Sequence, residues 1–74
     1  MTQEEFKSEV RRIRPELMAQ ARRYLGEEEA EDTVQDVLLR LWQMVGELHL
    51  PLAPLALRLV HNFSIDLLLS LIHI

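Results

Sequence analysis

Apolar residues recur along this chain at helical spacing in three separate stretches, and nowhere do they alternate with polar ones as a half-buried strand would require. In the first stretch Phe6, Val10, Ile13, Leu17, Ala21 and Tyr24 fall on one stripe. Thr2 and Glu5 precede it at the spacing of a capping box, in which each side chain satisfies a free amide near the helix start, so a helix beginning near Gln3 is expected. Pro15 lacks an amide donor and crowds the previous turn, which predicts a kink there. Gly26 is a natural stop.

The second stretch predicts a helix from about Glu28 to Val45, with Ala30, Val34, Val37, Leu38, Leu41 and Val45 on its buried stripe. Glu27, Glu28, Glu29 and Glu31 crowd its start, where the helix dipole favours negative charge. Gly46 ends it, and residues 47–53 read as a loop. Pro54 suits a first helical position. A third helix then carries Ala56, Leu59, Val60, Phe63 and Leu67 on one face. Three amphipathic stripes with short connections imply an all-α fold, a compact bundle of three main helices, the first kinked at Pro15.

The end of the chain departs from this pattern. From Leu67 onward it is almost wholly apolar, wider than any helical stripe that is not buried on all sides. Residues 69–74 read LSLIHI, which resembles one reading frame of a common sequencing adapter. The expected organisation is therefore one helical domain over residues 1–68 and a non-native tail over residues 69–74.

Composition narrows the picture further. With 74 residues the chain makes one small domain of limited core. It has no cysteine, so neither a disulfide nor a thiolate metal site supplements that core. The polar amino terminus does not read as a signal peptide, and the apolar tail is far shorter than a membrane span. A cytoplasmic location and no membrane partner are expected. The formal charge of −4 argues against a simple nucleic-acid binder, because neutralising phosphates needs clustered Lys and Arg.

The second helix carries the most information. Asp32, Gln35 and Asp36 stand at i, i+3 and i+4 and so share a face, which Leu39 and Gln43 continue. A leucine amid acids and amides suits a protein docking site, with Leu39 as the desolvated anchor and the acids meeting basic residues of a partner. On spacing alone, a solvated helix face with one exposed leucine is the plainer account.

The residue strings add to the spacing. Ala30–Trp42, AEDTVQDVLLRLW, resembles the polymerase-docking part of region 2 in sigma factors of the extracytoplasmic-function type. Arg14–Gly26, RPELMAQARRYLG, is similar to the helix that precedes it in that family, and Leu57–Asp66, LRLVHNFSID, to the family's third core helix. The resemblance covers roughly Phe6–Leu68, with the three blocks in family order.

That resemblance implies an all-helical domain whose second helix docks on the clamp helices of the RNA polymerase β′ subunit, through positions matching Asp32, Gln35 and Asp36. A first partner with a basic protein surface would account for the acidic balance. The third helix and the loop before it, residues 46–54, would face promoter DNA and capture unpaired bases of the −10 element. Arg58, Asn62 and Asp66 share a helical face with Leu55. Arg58 suits a phosphate contact and Asn62 a hydrogen bond to a base edge or the backbone. A local helix-surface or capping bond for Asn62 remains open. Asp66 is expected to pair with a neighbouring basic group.

Two departures from the family bear on this. Leu55 stands where an aromatic is common, and it stacks poorly. The basic run that follows the family's Asp is missing from Leu67–Ile74, which fits a truncation before the −35-reading domain. An anti-sigma factor is a further candidate partner.

Other signals are weak. Lys7, Arg11, Arg12, Arg14, Arg22 and Arg23 make the first helix basic, which reads as a solvated face with pairs such as Glu4 with Lys7 and Glu9 with Arg12. His49, His61 and His73 lack metal-ligand spacing. No catalytic constellation, phosphate loop or closed pocket is evident, so neither an enzyme, a cofactor nor a small-molecule substrate is expected. Trp42 reads as a core-edge residue and Met18 and Met44 as gap-fillers. Two competing readings stand beside the sigma-factor one: a small helical protein-interaction module, and a non-functional truncated fragment.

Overall fold

The computed structural model describes residues 1–72. Three helices form the molecule: α1 (Gln3–Arg22), α2 (Glu27–Gln43) and α3 (Ala53–Ile72), with a short 3-10 turn over Val45–Glu47. Each helix packs on both others. His73 and the last residue of the expected foreign tail, Ile74, lie outside the described residues.

The start of α1 follows from its capping box. The Glu5 amide donates to the Thr2 hydroxyl at 3.1 Å, and the Thr2 amide donates to the Glu5 carboxylate at 2.8 Å. Pro15 sits on the exposed side of one uninterrupted helix. Gly26 does not stop α1, as spacing suggested. The helix ends at Arg22, because Tyr24 and Leu25 both donate back to the Ala21 carbonyl and the buried Leu25 turns the chain inward. Gly26 instead caps α2, its carbonyl accepting from the Ala30 amide at 2.9 Å. The far end of α2 is also shorter than expected: it stops at Gln43, and both Val45 and Gly46 belong to the 3-10 turn.

Salt bridges hold the exposed surface of α1 as spacing anticipates. Lys7 lies 3.9 Å from Glu4, and Arg12 lies 2.6 Å from Glu9. One pair joins α1 to α2: the Arg22 guanidinium donates twice to the Glu27 carboxylate, each bond 2.8 Å. Those bonds hold the Glu27 carboxyl below its ordinary value of 4.5, and bonds from the Thr2 amide and hydroxyl do the same for Glu5. Because both folded values are depressed, their stabilising effect is complete above 4.5 and is lost as pH falls through the lower folded values. Thermal midpoints should therefore drop on acidification below that range, and less so in Glu27→Gln. A midpoint with the same acid slope in parent and variant would count against the Glu27 contribution.

The core gathers Ile13, Leu17 and Ala21 from α1, Ala30, Val34, Val37 and Leu41 from α2, and Ala56 and Val60 from α3, all wholly buried. Phe6 closes one end against Trp42, the ring centres 5.5 Å apart, so Trp42 does border the core. Met18 is buried, as a gap-filler would be, whereas Met44 is exposed.

The third stripe differs from expectation. The most buried line of α3 runs Ala56, Val60, Ser64, while Leu59, Phe63 and Leu67 are only half-buried. α1 and α2 approach α3 closely along its small residues, and the larger ones splay to either side of that seam. The Ser64 hydroxyl is buried there with no hydrogen-bond partner. Leaving a hydroxyl unsatisfied costs about 1–3 kcal/mol, and alanine is the better helix former, so Ser64→Ala should raise stability by ~1 kcal/mol. A lower urea midpoint in that variant would refute this account.

By length and composition alone α3 is long and apolar enough to cross a bilayer, a test that the core helix of a soluble protein also passes. It reaches that length because the helix is continuous from Ala53, well before the apolar tail begins. In this fold one side of it packs on α1 and α2, and the other carries Arg58, Asn62 and Asp66 to the surface.

Candidate functional site

The exposed face of α2 forms a ridge between two furrows. Asp32, Gln35, Asp36, Leu39 and Gln43 all lie open along it, and 53% of Leu39 is exposed. The flank toward α3 is acidic: Asp32 and Asp36 line a cleft of about 480 Å³ with Arg40, Phe63 and Asp66. The flank toward α1 is not. There Gln35 and Leu39 line a groove of about 180 Å³ with Arg14, Leu38 and Trp42. Residues that spacing places on one face are thus divided between two environments, because the neighbouring helices bring different side chains to each side.

Arg40 is a site residue that sequence reasoning passed over. Its Nε sits 3.4 Å from both Asp36 oxygens, and its guanidinium lies 5.0 Å from the centre of the Phe63 ring. It thereby ties the acidic flank of α2 to α3. The i,i+4 spacing from Asp36 could have pointed to the ion pair; only packing brings Phe63 beneath it. Both side chains of the pair are more than half exposed and the bonds are long, so the contact is weak.

On α3, Leu55 is 37% exposed, and Arg58, Asn62 and Asp66 follow it along the helix surface. The side-chain hydrogen bonds of α3 run through His61, whose Nδ1 lies 3.0 Å from the Gln20 amide nitrogen and 3.3 Å from the Tyr24 hydroxyl. Among the described residues none engages Asn62 or Arg58. Asp66 was expected to pair with a basic neighbour, and this is corrected: Arg40 shares its cleft but is turned to Asp36, and among the described residues Asp66 has no ion pair.

The loop before α3 is anchored at two points. Leu48 and Leu52 are buried in the core, the latter completely, which leaves His49, Leu50 and Pro51 as the exposed tip. The Met1 amino group donates to the Leu48 carbonyl at 2.8 Å and steadies the loop from the side of α1. The ridge on α2 and the loop with α3 therefore stand on one core and meet at the cleft that Arg40 and Phe63 share.

A family model for Sigma-70 region 2 matches residues 10–71. The chain belongs to the sigma-70 region 2 family. Among curated proteins and among solved structures nothing matches. The family match begins within α1 and ends within α3, so it takes in the whole of α2 and most of α1 and α3 of this region 2 domain, the ridge and the loop included. Sigma region 2 domains bind core RNA polymerase and promoter DNA and serve transcription initiation.

Proposed function

We propose that this chain is region 2 of a sigma factor of the extracytoplasmic-function type, working in the cytoplasm on core polymerase. It docks on the β′ clamp helices through Asp32, Gln35, Asp36, Leu39 and Gln43. Leu55, Arg58 and Asn62, with the loop before α3, engage the −10 element of the promoter.

One observation carries the reading. The family match reaches from α1 through α2 into α3, and within it the candidate docking residues are exposed together, with a large apolar side chain in their midst. An exposed leucine with carboxylates on one side of its ridge and an amide beside it has the make-up of an interface anchor with a polar surround. On α3, neither Arg58 nor Asn62 has, among the described residues, a side-chain partner that a nucleic acid would have to displace. The tip His49–Pro51 is held outward by the two buried leucines beside it, as capture of an unstacked base requires.

The test is a titration of the full chain against a peptide hairpin of the β′ clamp helices. Saturable binding is expected. If the chain is folded by circular dichroism and does not bind, the family match records ancestry only, and the plain helical-bundle reading takes its place.

A further inference from the structure

The furrow between α1 and α2 has a charge pattern opposite to that of the acidic flank. Its α1 wall is built from Arg11, Arg14 and Arg22, and near Glu31 it widens to a cleft of about 470 Å³. Met18 and Leu38, both largely buried, form apolar parts of its lining. Arg22 is already engaged by Glu27. Arg11 and Arg14 are exposed, and among the described residues neither forms an ion pair.

Arg14 is the joint between this furrow and the docking ridge. It lines the wide cleft beside Arg11, and it also lines the narrow groove shared with Gln35 and Leu39. A partner that seats on Leu39 therefore meets carboxylates on the α3 side of α2 and, on the α1 side, the exposed Arg14 guanidinium.

From this we infer that Arg14, supported by Arg11, is the second half of the docking surface and receives an acidic side chain of the same protein partner. The inference rests on the docking reading above and extends it to α1. Its physical content is orientation. A ridge with acids on both flanks would accept a basic helix in either direction, whereas opposite charges on the two flanks penalise the reversed pose by bringing like charges together. Arginine suits the task because its planar fork pairs with a carboxylate through two parallel bonds. A protein carboxylate fits better than phosphate, since the groove continues into the apolar anchor at Leu39 and Glu31 lines its wide end.

The experiment uses the full chain, Arg14→Glu, and two forms of the clamp-helix hairpin: native, and one with every Asp and Glu replaced by Asn and Gln. Arg14→Glu should weaken the native hairpin by about tenfold, and the parent and variant should bind the neutralised hairpin within about twofold of each other. Circular dichroism should show the fold unchanged, because Arg14 is exposed. Unchanged affinity of Arg14→Glu, in a chain where Asp36→Arg does weaken binding, overturns the inference and leaves the docking reading intact. Loss of binding to single-stranded −10 DNA without loss of hairpin binding overturns it in favour of a nucleic-acid furrow. A folded parent that fails to bind the native hairpin removes the docking reading and the inference together.

Discussion

Replacing both Asp32 and Asp36 with arginine is expected to weaken binding to the clamp-helix hairpin by at least about thirtyfold, the equivalent of ~2 kcal/mol. Both carboxylates line the acidic flank of α2, so reversal turns attraction for a basic partner into repulsion across the whole of that flank. Asp36 is not fully occupied in the free chain. Its bond to Arg40 is long and exposed, and a partner guanidinium or ammonium in better geometry would displace it readily. The substitution also places like charges at residues 36 and 40, one helical turn apart, but that penalty is small beside the expected loss. Since both positions are exposed, helical content should stay unchanged. Two results would sink the idea: affinity within error of the parent, or a loss that persists undiminished at high salt, where an electrostatic contact must fade.

The second large effect concerns the loop. Leu52→Ala should lower the thermal midpoint by about 8–40 °C, because removing a fully buried leucine side chain costs about 2–5 kcal/mol and each kcal/mol moves a domain of this size by ~4–8 °C. Against a total stability of about 4–11 kcal/mol for 74 residues, that is a large share. Leu52 lies where the loop meets α3, and its carbonyl accepts the Ala56 amide at 3.0 Å, so its loss also loosens the first turn of that helix. Leu50→Ala is the control. Only two residues away, Leu50 is 54% exposed, and its replacement should leave the midpoint nearly where it was. Equal losses in the two variants would mean that the loop is not anchored as described. In a holoenzyme, Leu52→Ala should further impair promoter opening, since the exposed tip would no longer be held outward.

Acid sensitivity, the Ser64 hydroxyl and the leucine pair each separate local chemistry from packing. The capping box at Thr2 and Glu5 is legible from spacing alone because both partners sit within one turn. So are the pairs Glu4 with Lys7 and Glu9 with Arg12. The bond from Arg22 to Glu27 crosses the turn between helices and needs the angle of that turn. Nothing local marks Gln20, Tyr24 and His61 as neighbours, for they meet only when α1 packs on α3.

The sequence by itself determined the three helices, most of the core stripes on α1 and α2, and which residues of α2 face outward. Those properties follow from a period of 3.6 residues and a single buried side. The tertiary structure alone decided the rest. It selected the small residues of α3 for the tightest seam, because two helices rather than one press on it. It sent Leu48 and Leu52 inward and Leu50 outward, which no helical periodicity governs in a loop. It also divided one acidic and amide-bearing ridge into an acidic flank against Arg40 and Phe63 and a basic flank against Arg14. Charge pattern on a surface depends on which helices stand beside it, and that is a property of packing, not of any one segment.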